Sequence, residues 1–139
     1  MPKHRSVYWK EIEIVKALSS QAPLDFIWSV QFQRVAPGDT LWILGILDNR
    51  FGCLGYVQVA AVKAGEQGRF NAIAKAPVFP RFVDLTAEWK QHLTFDSPMP
   101  ILKDLDRRVP NGQSLQTVRV LSSAAVEWLK SRWGNADES

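Results

Sequence analysis

The chain is expected to adopt an α+β fold: a small curved, partly closed β-barrel with a few flanking helices, including a C-terminal one. Three observations predict this. Short runs rich in β-branched and aromatic residues recur along most of the chain, one strongly helical pattern stands near the end, and no alternation of strand and helix suggests a parallel α/β sheet. At 139 residues, 1–139 is expected to be one domain, with 134–139 a flexible tail. Such a chain can bury roughly two thirds of its unfolded surface.

From Arg5 to Val15, RSVYWKEIEIV sets Tyr8, Ile12 and Ile14 among polar neighbours, which favours a strand. Tyr8, Ile12 and Val15 also fit a helical stripe, so both templates stay open over this window. KALSSQ has helical propensity, and Pro23 limits its run. DFIWSV (25–30) reads as an irregular aromatic segment between two elements. At Ala36–Asp39, proline before glycine suits a type II turn. TLWILGIL (40–47) and GCLGYVQVAAV (52–62) then read as a β-hairpin closed by the loop DNRFG, and Gly45 and Gly55 mark a bulge, a bend or the close approach of another backbone.

KAGEQGRF reads as a polar loop and Asn71–Pro80 as weakly structured. RFVDL (81–85) and HLTF (92–95) read as short strands. SPMPILKDLDRRVPNG is irregular, with one helical turn near Ile101–Leu105, and QSLQTVRVL (113–121) alternates imperfectly. A helix is predicted over 123–133. Ser122 or Ser123 caps it, Glu127 sits near its positive end and Lys130 and Arg132 near its negative end. Ala125, Trp128, Leu129 and Trp133 form its apolar face, and Gly134 supplies a stop.

Composition and motifs exclude several classes. No apolar run approaches the ~20 residues of a membrane helix, and MPKHRSVYWK has no apolar core of a signal peptide, so a cytoplasmic protein is expected. Cys53 cannot form an internal disulfide. With only His4 and His92 beside it, the soft ligands are too few for structural zinc, and no metal or cofactor is expected. There is no Gly-x-Ser-x-Gly elbow, Walker loop or Gly-x-Gly-x-x-Gly motif. Cys53 lies in an apolar strand as packing, and His92, which has Asp84 and Asp96 as possible partners, reads as a solvated strand-edge residue. The chain therefore reads as non-enzymatic. A net charge of +3 and a pI near 9.2 permit a polyanionic partner without requiring one. Six tryptophans are unusual for this length; Trp42, Trp128 and Trp133 fall on predicted core faces, whereas Trp28 stands where an aromatic residue can line a pocket.

The order of motifs resembles the PUA-like superfamily, particularly its EVE and YTH branches. The matching features are the Trp28-Ser29 pair before the hairpin, the Gly55-Tyr56 step in CLGYVQV, and the Leu93-Thr94-Phe95 step in RFVDLTAEWKQHLTFDSPMP. The closing QSLQTVRVLSSAAVEWLKSRW resembles the end of small EVE-like proteins. The resemblance implies a pocket for a flipped-out modified base; YTH domains read methylated adenine, and EVE domains have been linked to modified cytosine in DNA. Trp28 would be the first wall of that pocket, with Ser29 beside it. YTH readers place a second tryptophan after the hairpin, where this chain has only Phe70, Phe79 or Phe82. Asn71 is the candidate to read the base edge, or else a solvated turn residue. The implied partner is DNA or RNA, and the candidate phosphate contacts are Arg34, Lys75, Arg81, Arg107, Arg108 and Arg119, with Asp104 and Asp106 blunting the Arg107-Arg108 pair. A small molecule in the same pocket, or a protein partner, are the alternatives, and a basic groove leading to the pocket would favour nucleic acid.

Overall fold

A computed structural model describes residues 2–96 and 107–137. Its elements are β1 (His4–Trp9), α1 (Glu11–Ser20), β2 (Phe26–Ser29), β3 (Thr40–Leu47), β4 (Arg50–Ala64), β5 (Phe70–Ala74), β6 (Val83–Asp84), α2 (Trp89–His92), α3 (Gly112–Leu115), β7 (Arg119–Val120) and α4 (Ser123–Asp137), with short 3-10 turns at Phe32–Arg34 and Glu66–Gly68. The strands form one sheet in the order β2-β5-β4-β3-β1-β7, with β6 also paired to β4. Strand pairing does not close this sheet into a ring. The pair β1–β3 is parallel and the others are antiparallel.

Both templates offered for residues 5–15 are realised, one after the other. Alternation holds through Trp9, and then Lys10 caps a helix, its backbone N–H donating to Glu13 Oε1 at 3.1 Å. Ile14 drops from α1 onto Gly45 of β3, where any side chain would collide with Ile14 Cδ1 and with the Trp9 carbonyl. The close approach expected at Gly45 is therefore real.

The hairpin strand 40–47 forms as predicted, buried on both faces, which explains its unbroken apolar run. Its turn is tighter than DNRFG implied. Asp48 and Asn49 alone make it, both at positive φ, and Leu47 already pairs with Arg50. At Ala36–Asp39 the turn closes with Gly38 at φ +96° and a 3.0 Å bond from the Asp39 N–H to the Ala36 carbonyl. The buried Asp39 carboxylate accepts bonds from the N–H groups of Lys3 and Ala36 and from Arg5 Nε.

Several expectations need correction. DFIWSV is not irregular but contains β2, and Asn71 lies within β5 rather than in a loose segment. Both strands are too short to show a period by themselves, and each is fixed by its neighbours. RFVDL keeps only Val83–Asp84 as strand; in HLTF only His92 is in α2, Leu93 and Thr94 are irregular and Phe95 makes a single bridge to Leu121; and 113–121 divides into α3 and β7. The turn near Ile101–Leu105 lies outside the described residues. Ser122 caps α4 by accepting a bond from the Ala125 N–H at 3.1 Å, but the helix passes Gly134, the expected stop, and continues to Asp137. An isolated glycine costs a helix only ~1 kcal/mol, too little to end one already docked.

Apolar residues pack on both sides of the sheet. Under α4 lie Trp42, Phe51, Trp89, Trp128, Leu129 and Trp133, so the three tryptophans expected in the core are there. Toward α1 lie Ile14, Ile27, Phe32, Ile43, Val57 and Ala72.

The two ends of the open sheet are joined by one side chain. Gln31, just after β2, donates from Nε2 to the Gln116 carbonyl and accepts at Oε1 from the Val118 N–H, both at 2.8 Å. This amide imitates a strand's backbone and ties β2 to the segment entering β7. Gln31→Ala should destabilise the fold by about 1–2 kcal/mol, since each bond is worth roughly 0.5–1.5 kcal/mol. A urea titration checks it: a lower midpoint at constant slope is expected, and an unchanged midpoint would show that the tie contributes nothing.

Candidate functional site

β2 pairs with β5 in the register Phe26↔Ile73, Ile27↔Ala72, Trp28↔Asn71 and Ser29↔Phe70. Burial follows the two-residue period: Ile27 is 4% exposed, whereas Phe26 is 55% and Trp28 51% exposed. Ile27 and Ala72 thus seat the strand pair on the core and leave Phe26, Trp28, Asn71 and Ile73 on the outer face. β4 extends these rows, with Lys63 opposite Asn71 and Ala61 opposite Ile73. Lys75, one step past β5, is exposed and in phase with Asn71 and Ile73.

Arg69, just before β5, lays its guanidinium over the Trp28 ring, 4.0 Å from the centroid. Among the described residues that guanidinium has no hydrogen bond or ion pair, so its N–H donors are available. None of the residues of β2, β5 or the facing segment 61–64 of β4 is acidic.

Beside this face, the free edge of β2 looks across a cleft of about 770 Å³ toward β1 and α1, with Tyr8, Trp9, Lys16, Ala17, Trp28 and Gln31 among its lining residues. The bond from the Ala74 N–H to the Asp25 carbonyl sets the phase of pairing. In that phase Ile27 and Ser29, like the Asp25 carbonyl, turn their backbone polar groups to β5, and Phe26 and Trp28 turn theirs toward the cleft. Tyr8 holds its phenol proton to higher pH than usual, because burial and then the nearby Glu11 and Glu13 carboxylates disfavour the phenolate.

The sequence-predicted residues separate into two groups. Trp28 and Ser29 line the cleft, Asn71 is the cross-strand neighbour of Trp28, and Lys75 shares their face. Ser29 also holds the turn after β2, accepting from the Gln31 N–H at 3.0 Å. The others lie elsewhere. Phe70 is on the core side, packed against the cluster under α1, and Phe79 is exposed away from the cleft lining. Arg34 is exposed at the end of its 3-10 turn, its carbonyl accepting from Arg5. Arg81 stacks on Trp133 at 4.3 Å and donates to its carbonyl. Arg107 donates to the Val109 carbonyl, Arg108 to the Asn49 carbonyl, and Arg119 sits half-buried in β7 opposite Ser6. Sequence reasoning missed Phe26, Lys63 and Arg69. The i, i+2 spacing of Phe26 and Trp28, and of Arg69 and Asn71, was the signal that could have found them.

Among the described residues no group of three His, Cys, Asp or Glu side chains is placed to hold a metal, and no helix is long and apolar enough to cross a membrane. His92 is exposed and stacks on Trp128, with ring centroids 5.4 Å apart.

No protein-family model matches the chain, and no curated protein matches it. Among solved structures it is similar to a hypothetical protein from Leishmania major, with a TM-score of 0.53 and 10% identity over 98% of each chain. At that identity the likeness shows a shared fold and nothing more.

Cys53 is fully buried, and burial pushes its thiol up to about 12. A thiol reagent at pH 8 should therefore leave the native protein unmodified over a time in which the denatured chain reacts completely. Rapid labelling of the folded protein would reinstate Cys53 as a reactive group.

Proposed function

We propose that the protein binds nucleic acid without catalysing a reaction on it, receiving one base on Trp28 at the mouth of the cleft. The observation that carries this reading is the placement of Trp28: a half-exposed tryptophan on an edge strand, between an open cleft and a sheet face bearing Lys63, Arg69 and Lys75. Folding usually removes so large an apolar ring from water, at roughly 25 cal/mol per Å². Here Phe26 and Trp28 stay out side by side.

A nucleobase suits this surface. Stacking on an aromatic ring contributes ~1–3 kcal/mol per base, the cations favour a phosphate backbone, and the Asn71 amide offers a donor and an acceptor to a base edge. In this reading Arg69 flanks the stacked base, and Lys63 and Lys75 meet phosphates. Lys75 was among the predicted contacts; Lys63 and Arg69 replace the more distant arginines. The cleft volume falls within the ~300–1,000 Å³ usual for ligand sites.

The reading of that base as a flipped-out modified one rests on the resemblance to PUA-like domains of the EVE and YTH type. Two features support it. The Gln31 tie draws the sheet ends together as a partly closed barrel requires, and the backbone N–H and C=O of Trp28 face the cleft where a base edge would enter.

Labelled single-stranded DNA and RNA oligonucleotides, unmodified or carrying methylated adenine or cytosine, should bind the wild type with an affinity that falls as salt rises. Trp28→Ala should bind at least about tenfold more weakly while keeping its circular dichroism, since the side chain is half exposed. Failure of every oligonucleotide to bind, or equal binding by the variant, would overturn the proposal.

A further inference from the structure

On the α4 side of the sheet is a second, smaller pocket of about 210 Å³, whose lining includes His4, Trp42, Tyr56, Gln58, Lys130 and Trp133. Its walls are aromatic. Trp42 and Tyr56 have ring centroids 5.0 Å apart, Tyr56 meets Trp133 edge-on at 6.0 Å, and the His4 ring stacks against Trp42 at 6.3 Å.

Every polar side chain of this pocket can donate, and those of Thr40, Tyr56 and Gln58 can also accept. Trp42 Nε1–H donates to His4 Nδ1 at 3.0 Å, so that nitrogen carries no proton and the neutral imidazole must hold its proton on Nε2. Burial, and then the Lys130 charge, keep His4 below its usual pKa, outweighing the opposing pull of Asp39 and Glu127. Among the described residues, His4 Nε2, the Tyr56 hydroxyl and the Lys130 ammonium have no hydrogen-bond or ion-pair partner. No lining residue is acidic.

An aromatic slot with one cation and two neutral donors matches a ligand with a flat apolar body and an anionic acceptor at its rim. A cationic ligand would meet Lys130 with like charge. A neutral aromatic would leave that ammonium without a partner. We propose that this pocket binds a small aromatic carboxylate, its ring against Trp42, Tyr56 and Trp133 and its carboxylate toward Lys130, His4 Nε2 and the Tyr56 hydroxyl. No residue of β2 or β5 lines this site, and it does not depend on the nucleic-acid reading.

Benzoate is the probe, titrated into the full-length protein and followed by tryptophan fluorescence and by nuclear magnetic resonance of the indole N–H signals. Saturable binding is expected, with benzamide and benzylamine both weaker. Lys130→Ala should weaken benzoate about tenfold, the scale of a lost hydrogen bond to a charged group, and Tyr56→Phe by a smaller factor. Lys130 is exposed, so its variant should fold, and Trp28→Ala should bind benzoate as the wild type does. Absence of saturation at tens of millimolar, equal affinity in Lys130→Ala, or loss of binding in Trp28→Ala would each overturn the proposal.

Discussion

β4 is a member of every part of the sheet that matters to the site, and its shape is set by two interruptions. Its first half pairs with β3 and β6, and its last residues pair with β5, which in turn carries β2. Between Cys53 and Gly55 the register slips, leaving Leu54 as the extra residue of a bulge, and a second slip falls between Val59 and Ala61. Gly55 takes φ +154°, and a side chain there would press into Leu24. Bulges bend a strand and increase its twist. The bend turns β5 and β2 away from the plane of β3 and β1, and the edge of β2 comes to face α1 across the cleft.

α1 reaches that position through a different interruption. Gly45 leaves a hollow in β3 into which Ile14 settles, bringing the helix against the sheet. Two glycines in one hairpin thus place both walls of the cleft, and Gln31 holds its end. These groups decide what the Trp28 ring stands beside.

The tryptophans show how one residue type serves two ends. Trp42, Trp89 and Trp128 are buried with their indole N–H groups satisfied by His4, the Arg108 carbonyl and Glu88 Oε1. Each combines a large apolar surface with one answered donor, which is what makes a buried tryptophan stabilising. Trp28 is half exposed and covered on one side by a cation that carries five N–H donors.

The amino-acid order was enough for the turn at Pro37-Gly38, the strand 40–47, the glycine interruptions and the apolar face of α4, because each follows from local backbone preference or from periodicity over enough residues. It also pointed to Trp28, Asn71 and Lys75. What it could not settle were elements too short to carry a period: β2, β5 and β7 exist because neighbouring strands answer their backbone groups. The switch at Trp9 from strand to helix depended on the seat that Gly45 offers Ile14. Arg69 and Lys63 joined the candidate face, and Phe70 was turned away from it, once the register of β4 with β5 was fixed, while Arg81, Arg107 and Arg108 are held elsewhere by the carbonyls of Trp133, Val109 and Asn49. A one-residue slip sends every side chain of a strand to the opposite face. That register is set by a bulge and by cross-chain packing, which lie in no short stretch of sequence.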